Sequence, residues 1–289
     1  MRSTRSTRRS HFVRPTADGG SGAALSTVQA GSDVPTLDIR GLNLTYAGTN
    51  RAIDAIRSLS LSIAEGEFVS IVGPSGCGKS SLLKIVYGLI RPTAGTASIA
   101  GRPIVGPRPD LGMVFQNPVL LPWRTIIENV LLPVDVQRLD RKKLTQHARE
   151  LISMVGLGGF ENVYPDELSG GMQQRAGIVR ALIHDPKLLL MDEPFAALDA
   201  LTREQMALEL QRIWLTSRKT VLFVTHSISE AVLLSDRVVL MSSRPGRIVD
   251  VFELPRKRPR SFDDLAVPEF AEIAKAIRHG LNAASEALH

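Results

Sequence analysis

"EFVSIVGPSGCGKSSLLKIV", Glu67 to Val86, sets an apolar run, a glycine-rich loop and an amphipathic run in immediate succession. Phe68 to Val72 carries no charge, as a buried strand does, and "LLKIVYGLI" continues with helical spacing after the loop. Between them "GPSGCGKS" fits G-x-x-x-x-G-K-S/T with Gly73, Gly78, Lys79 and Ser80, in the strand-loop-helix context that this pattern requires. The glycines permit a loop whose amides point inward at phosphate. Lys79 adds a point charge near the β and γ phosphates, Ser80 can ligate magnesium, and the helix aims its positive end at the same anion. The expected nucleotide cradle is therefore Gly73, Pro74, Ser75, Gly76, Cys77, Gly78, Lys79, Ser80 and Ser81. Cys77 reads either as a thiol activated by the helix N-terminus or as a small residue that the loop tolerates.

Outward from this stretch, strand and helix patterns alternate. "KLLLMDEP" is a second buried strand, "TREQMALELQRIW" a helix, "TVLFVTH" a strand, "SISEAVLLS" a helix and "DRVVLMSS" a strand. That order predicts an α/β fold with a mainly parallel sheet core covered by helices. Ahead of it, "LDIRGLNLTYA" and "SLSLSIAEGE" alternate apolar and polar residues and predict an antiparallel β subdomain. Residues 117 to about 168 lack strand patterns and contain the amphipathic "RKKLTQHARELISMVGL", which predicts a helical subdomain over about 117–180. "VGLGGF", at 155–160, follows no strand and reads as a helix-ending loop.

Two further motifs carry chemistry. Asp192 and Glu193 end the strand of "KLLLMDEP". Alone, two acids there suit a helix cap or a solvated turn. Beside a phosphate loop, one can hold magnesium through water while its neighbour polarises the attacking water. In "LSGGMQQR", residues 168–175, Ser169 reads as an N-cap that opens a helix, a second anion-binding helix terminus in the same chain.

Composition bounds the rest. The 289 residues are 44% hydrophobic and 22% charged, which suits one large folded domain or two smaller ones. The net charge of +6 could serve nucleic acid, an anionic membrane or an anionic ligand, but the basic residues gather near the two ends. Five arginines precede the first acid, Asp18, in a stretch rich in Gly, Ser, Thr and Ala, so residues 1–35 are expected to form a disordered basic tail. Arg256, Lys257, Arg258 and Arg260 form the second cluster, expected to be a solvated charge run. Residues 256–289 are read as a tail whose Phe270, Ile273, Ile277 and Leu281 mark a short amphipathic helix. No run approaches the apolar length of a membrane-spanning helix. The single cysteine excludes an internal disulfide framework and a multi-cysteine metal site.

With its motifs in this order, the chain resembles the ATP-binding subunits of ABC transporters over roughly residues 36–255, and "LSGGMQQR" matches the signature of that family without departure. The resemblance implies a P-loop NTPase fold of the ABC ATPase type, with ATP and Mg2+ as ligands. It puts Tyr46 where an aromatic stacks on adenine and Gln116 where a glutamine reaches magnesium and the attacking water. It puts His226 where a histidine contacts the γ phosphate and positions Glu193, and Ala197 to Asp199 where a loop meets the opposite subunit. It further implies that Ser169, Gly170, Gly171 and Gln173 of one subunit close on the phosphate loop of another. One copy of each motif then calls for a head-to-tail homodimer, or a pairing with a closely related subunit.

Around the opening of the helical insertion stands "MVFQNPVLLPWRTIIENV", residues 113–130, and after Gln116 the run "NPVLLPWRTIIENVLLP" is most similar to the importer subfamily for nitrate, sulfonates and taurine. "EPFAALDALTRE" and "LMSSRPGRIVDVFELPRKRPR" carry the same resemblance. It implies an energy-coupling subunit on the cytoplasmic face of the inner or plasma membrane. Integral-membrane permease subunits are its expected partners, an extracytoplasmic solute-binding protein an indirect one, and nucleic acid none. A soluble or export ABC ATPase is the alternative. Within the stretch, Met113, Val114 and Phe115 are expected to finish a strand and Ile126, Ile127 and Val130 to face the core. Pro118 and Pro122 stiffen a loop that offers Trp123 to a partner.

Overall fold

The computed structural model describes residues 34–47, 52–255 and 257–286. Apart from its last two residues, the expected N-terminal tail lies outside them. The described chain starts with an antiparallel sheet of four strands in the order β2-β1-β4-β5: β1 (Leu37–Tyr46), β2 (Ile53–Ile63), β4 (Ala94–Ile99) and β5 (Arg102–Pro103). In β1, Leu37, Ile39, Leu42 and Leu44 point into the core, with register shifts after Ile39 and Leu42.

The second sheet has six strands in the order β10-β9-β3-β8-β7-β6. They are β3 (Phe68–Val72), β6 (Leu111–Val114), β7 (Leu188–Asp192), β8 (Thr220–Val224), β9 (Arg237–Met241) and β10 (Ile248–Glu253). The five strands from β9 to β6 run parallel, and only the edge strand β10 is antiparallel. Their carboxyl ends therefore share one edge of the sheet, where α/β proteins assemble ligand sites. β3 is buried on both faces, and its alternation divides the core. Phe68 packs with Trp214 and Phe223 on one side, while Val69 and Ile71 pack with Leu82, Leu83 and Ile85 of α1 (Lys79–Val86) on the other.

Helices α2 (Ile126–Val130), α3 (Leu132–Val136), α4 (Arg141–Met154) and α5 (Gly170–Leu182) form the helical insertion between β6 and β7. Phe115 falls just outside β6 and is partly exposed, a small departure from the expected strand end. Ile126, Ile127 and Val130 are buried, and Glu128 closes the start of α2 by accepting the Thr125 N–H at 2.9 Å. Helices α6 (Ala200–Ser217) and α7 (Ile228–Leu234) flank β8 in sequence, and α8 (Pro268–Glu286) ends the described chain.

The C-terminal segment corrects two expectations. α8 has 19 residues, is not short, and buries Phe270 and Ile277 against Val72, Val232, Val238 and Leu240. Nor are Arg258 and Arg260 part of a solvated run. Arg258 stacks 4.4 Å from the Trp214 ring and pairs with Asp236 at 2.9 Å. Arg260 donates to the carbonyls of Val232 and Ser235, each at 2.7 Å, and to those of Lys257 and Pro255. For Arg260 these carbonyls replace the lost hydration, so Arg258 and Arg260 act as a structural clamp, while Lys257 is exposed and Arg256 lies outside the described residues. Even so, burial and the neighbouring Arg258 push the Arg260 guanidinium down to about 10.

Candidate active site

The loop between β3 and α1 encloses its own lysine. Lys79 is buried, and its ammonium donates to the carbonyls of Gly73 at 2.8 Å and Pro74 at 3.1 Å. Gly78 has φ 102 and sits under β2, where an added Cβ would meet the Ala55 carbonyl oxygen at 2.8 Å, so only glycine fits. Cys77 is fully buried and burial pushes its thiol up, which removes the activated-thiol reading.

Beyond the loop lies an open cavity of about 440 Å³. Ser75, Gly76, Gly78, Lys79, Ser80 and Ser81 form its floor, with Tyr46 on one wall and Glu193 on another. Tyr46 is held beside the loop by a 3.0 Å hydrogen bond between its hydroxyl and that of Ser81. Ser80 donates to the Asp192 carboxylate at 3.0 Å, although the two are far apart in sequence, because β7 lies two strands from β3 and ends on the same edge. Burial raises the Asp192 carboxyl above its ordinary value; the Ser80 bond opposes this and the charge of Glu193 adds to it. A hydroxyl and a carboxylate meeting on a phosphate-binding loop are hard oxygen donors of the kind that suit Mg2+.

Glu193 follows directly, in the left-handed region at φ 45, with its N–H donating to the Val224 carbonyl at 2.9 Å. A non-glycine residue held there stores strain, which is characteristic of a functional position. His226 closes the group, its Nδ1 lying 3.2 Å from Glu193 Oε2. Gln116 is exposed two residues after β6, whose partner strand β7 carries Asp192, so it stands on the same sheet edge.

The remaining expected residues gather elsewhere. Ser169 caps α5, its Oγ accepting the Met172 N–H at 3.3 Å. Asp199 caps α6 by accepting the Thr202 N–H at 3.0 Å, and the Thr202 side chain first, then this backbone bond, hold its carboxyl below the usual range. These two helix starts touch, since a Cβ on Gly171 would meet Thr202 Cγ2 at 3.0 Å. Gln173 donates to the carbonyls of Pro165 and Leu168, securing the turn ahead of α5. Ser169, Gly170, Gly171, Gln173 and Asp199 do not line the cavity that holds Lys79 and Glu193.

Three sets of residues escaped the sequence reading. Arg244, from the β9–β10 turn, lines the cavity. Arg203 donates to the carbonyls of Phe195 and Leu198 and lies 3.8 Å from Glu230, which accepts a 2.6 Å bond from the Thr225 hydroxyl. On α5, Gln174 donates to the Phe115 carbonyl at 3.2 Å and Arg180 to those of Pro118 and Val119 at 2.6 and 2.7 Å. The only hint of the last set is that Gln174 and Arg180 are polar residues among the mostly apolar buried positions of α5.

The segment held by Arg180 borders an apolar groove of about 520 Å³, lined by Tyr87, Phe115, Val119, Leu121 and Val136 among others. Buried Asn129 accepts the Leu121 N–H at 2.7 Å and donates to the carbonyls of Leu121, Arg124 and Thr125. The turn so fixed leaves Trp123 71% exposed, whereas the other tryptophan, Trp214, is buried.

Comparison with known proteins gives a consistent result. Residues 56–196 match the family model described as ABC transporter. An uncharacterized ABC transporter ATP-binding protein of Methanocaldococcus jannaschii is 45% identical over 241 residues, 83% of this chain and 89% of the relative. A taurine import ATP-binding protein of Burkholderia pseudomallei is 46% identical over 208 residues, 72% of this chain and 80% of the relative. Among solved structures, a dimeric ATP-binding cassette in a post-hydrolysis state, bound to ADP and Pi, superposes with a TM-score of 0.67 at 34% identity. That match covers 76% of this chain and 100% of the cassette.

Proposed function

Because the chain belongs to the ABC transporter family of ATP-binding subunits and is an ATPase, we propose that it powers an importer for a small solute such as nitrate, a sulfonate or taurine. The similarity to a taurine import subunit over most of both chains carries this reading. Two copies would close head to tail on two ATP and drive a separate permease at the cytoplasmic face of the membrane. An extracytoplasmic solute-binding protein would deliver the cargo. The dimeric relative supports the pairing, as does the separation, within one chain, of the signature turn from the cavity that it would have to cover.

In this reading Tyr46 stacks on adenine, and the amides of the phosphate loop with Lys79 hold the phosphates. Ser80, Asp192 and Gln116 would hold Mg2+, which when bound neutralises charge on the β and γ phosphates. Glu193 takes the proton of the attacking water, and His226, bonded to Glu193, orients it and reaches the γ phosphate. The groove and exposed Trp123 receive the cytoplasmic helix of the permease, since an apolar patch that abuts the catalytic edge suits a partner. The Gln174 and Arg180 bonds would let α5, which opens on the signature, carry closure to that groove.

Purification of the tagged chain from membranes should bring down a multi-span permease, and its deletion should abolish uptake of one of these solutes. Trp123→Ala should cut uptake at least severalfold while basal ATPase remains. A chain recovered free of any membrane partner would contradict the importer reading. Unchanged assembly and uptake in Trp123→Ala would end the docking role of Trp123.

A further inference from the structure

The turn Ser242–Arg247 between β9 and β10 lies directly on the phosphate loop. The Gly246 N–H donates to the Ala55 carbonyl at 2.9 Å, and its own carbonyl accepts the Arg57 N–H at 3.0 Å. A Cβ on Gly246 would come within 2.0 Å of the Cys77 carbonyl oxygen, so the two backbones are in contact and no other residue fits there. Ser242 Oγ adds a brace inside the turn by accepting the Arg247 N–H at 3.0 Å. The turn is thus fixed from both sides, and what it presents is Arg244.

Arg244 reaches back over the loop. Its Nε lies 3.4 Å from the Gly76 carbonyl oxygen, and its Nη2 is 3.0 Å from where a Gly76 Cβ would stand. The side chain lines the cavity and makes no ion pair among the described residues. Lys79 is the other cation lining that cavity, and two of its three donors are engaged by the Gly73 and Pro74 carbonyls. Arg244 is exposed, and the bond to Gly76 is the one hydrogen bond of its guanidinium among the described residues. A planar fork with open donors beside a ring of phosphate-binding amides is built to take phosphate oxygens, which it can engage in pairs.

We propose that Arg244 is a nucleotide-binding residue: its guanidinium, carried on the β9–β10 turn and seated against Gly76, engages the polyphosphate of the bound nucleotide. This rests on the ATP-site reading and adds to it a contact from outside the phosphate loop. Arg244 sets preference by the number of phosphates, not by the base. Tyr46, tied to Ser81 on the other wall, serves the base.

The test is displacement of a fluorescent ATP analogue from the full chain by ADP and by adenosine. Arg244→Ala should weaken ADP about tenfold, the expected effect of one charge-assisted contact, and leave adenosine unchanged, with Arg244→Lys between the two. ADP binding as tight as in the parent overturns the proposal. So does an equal loss for ADP and adenosine, which is what distortion of the turn would give. A parent chain that binds no ATP analogue would instead overturn the nucleotide-site reading on which the proposal stands.

Discussion

Glu230 keeps a carboxylate where there is almost no water, with a side chain only 6% exposed. Burial raises its pKa, against the opposing pull of the Thr225 hydroxyl, Arg203 and His226, while Glu193 adds to the rise. An acid whose folded pKa is raised contributes stability that is complete below its unfolded pKa, about 4.3, and is lost as pH rises through the folded value. At neutral pH the ionised group is therefore a net cost. Glu230→Gln keeps an acceptor for Thr225 and removes that cost, so its stability relative to the parent should rise as pH increases from about 4 to 8. Denaturant midpoints across that range measure it, and a difference that shrinks with pH would refute the assignment. Thr225 precedes His226, and Arg203 holds the loop before Asp199, so this buried group ties two candidate site segments together.

At the scale of elements, the clamp on the C-terminal segment is the clearest addition. Arg260→Ala would leave the carbonyls of Val232, Ser235 and Pro255 without their donor. Orphaned buried acceptors cost about 1–3 kcal/mol, and a loss on the order of 3 kcal/mol in urea unfolding is expected, with α8 the first element to lose amide-exchange protection. No such loss would mean that Phe270 and Ile277 alone dock the helix. Local pattern could not reveal this clamp. "RKRPR" reads as solvated because charge is the only signal a sequence carries there, whereas burial depends on Trp214 and Asp236, which fold to meet it from elsewhere in the chain. The elements whose chemistry is local were legible: the phosphate loop with its flanking strand and helix, the β7 strand ending on two acids, and Ser169 opening α5. The left-handed backbone of Glu193 and the seat of Arg244 were not, since both depend on register between distant strands.

For the whole molecule the question is what covers the cavity of Lys79 and Glu193. Within one chain the signature turn and the Asp199 loop meet each other but not that cavity, and the ends of α5 and α6 present capped, exposed helix starts to the outside. A second copy turned head to tail would supply those starts to the phosphates, and binding energy from ATP would hold the pair until hydrolysis removes it. Glu193→Gln keeps the size and a hydrogen-bonding partner for His226 but removes the proposed base, so hydrolysis should fall by about a hundredfold or more. With ATP this variant should run as a dimer in light scattering, and with ADP as a monomer. The parent, which consumes its ATP, should hold the dimer less well. A monomer with ATP would sink the pairing. Orientation needs one more variant, Ser169→Arg, placed at a turn that does not touch its own cavity. It should bind the fluorescent ATP analogue as the parent does, yet fail to dimerise when combined with Glu193→Gln. A double variant that still dimerises would mean that the copies join through some other face.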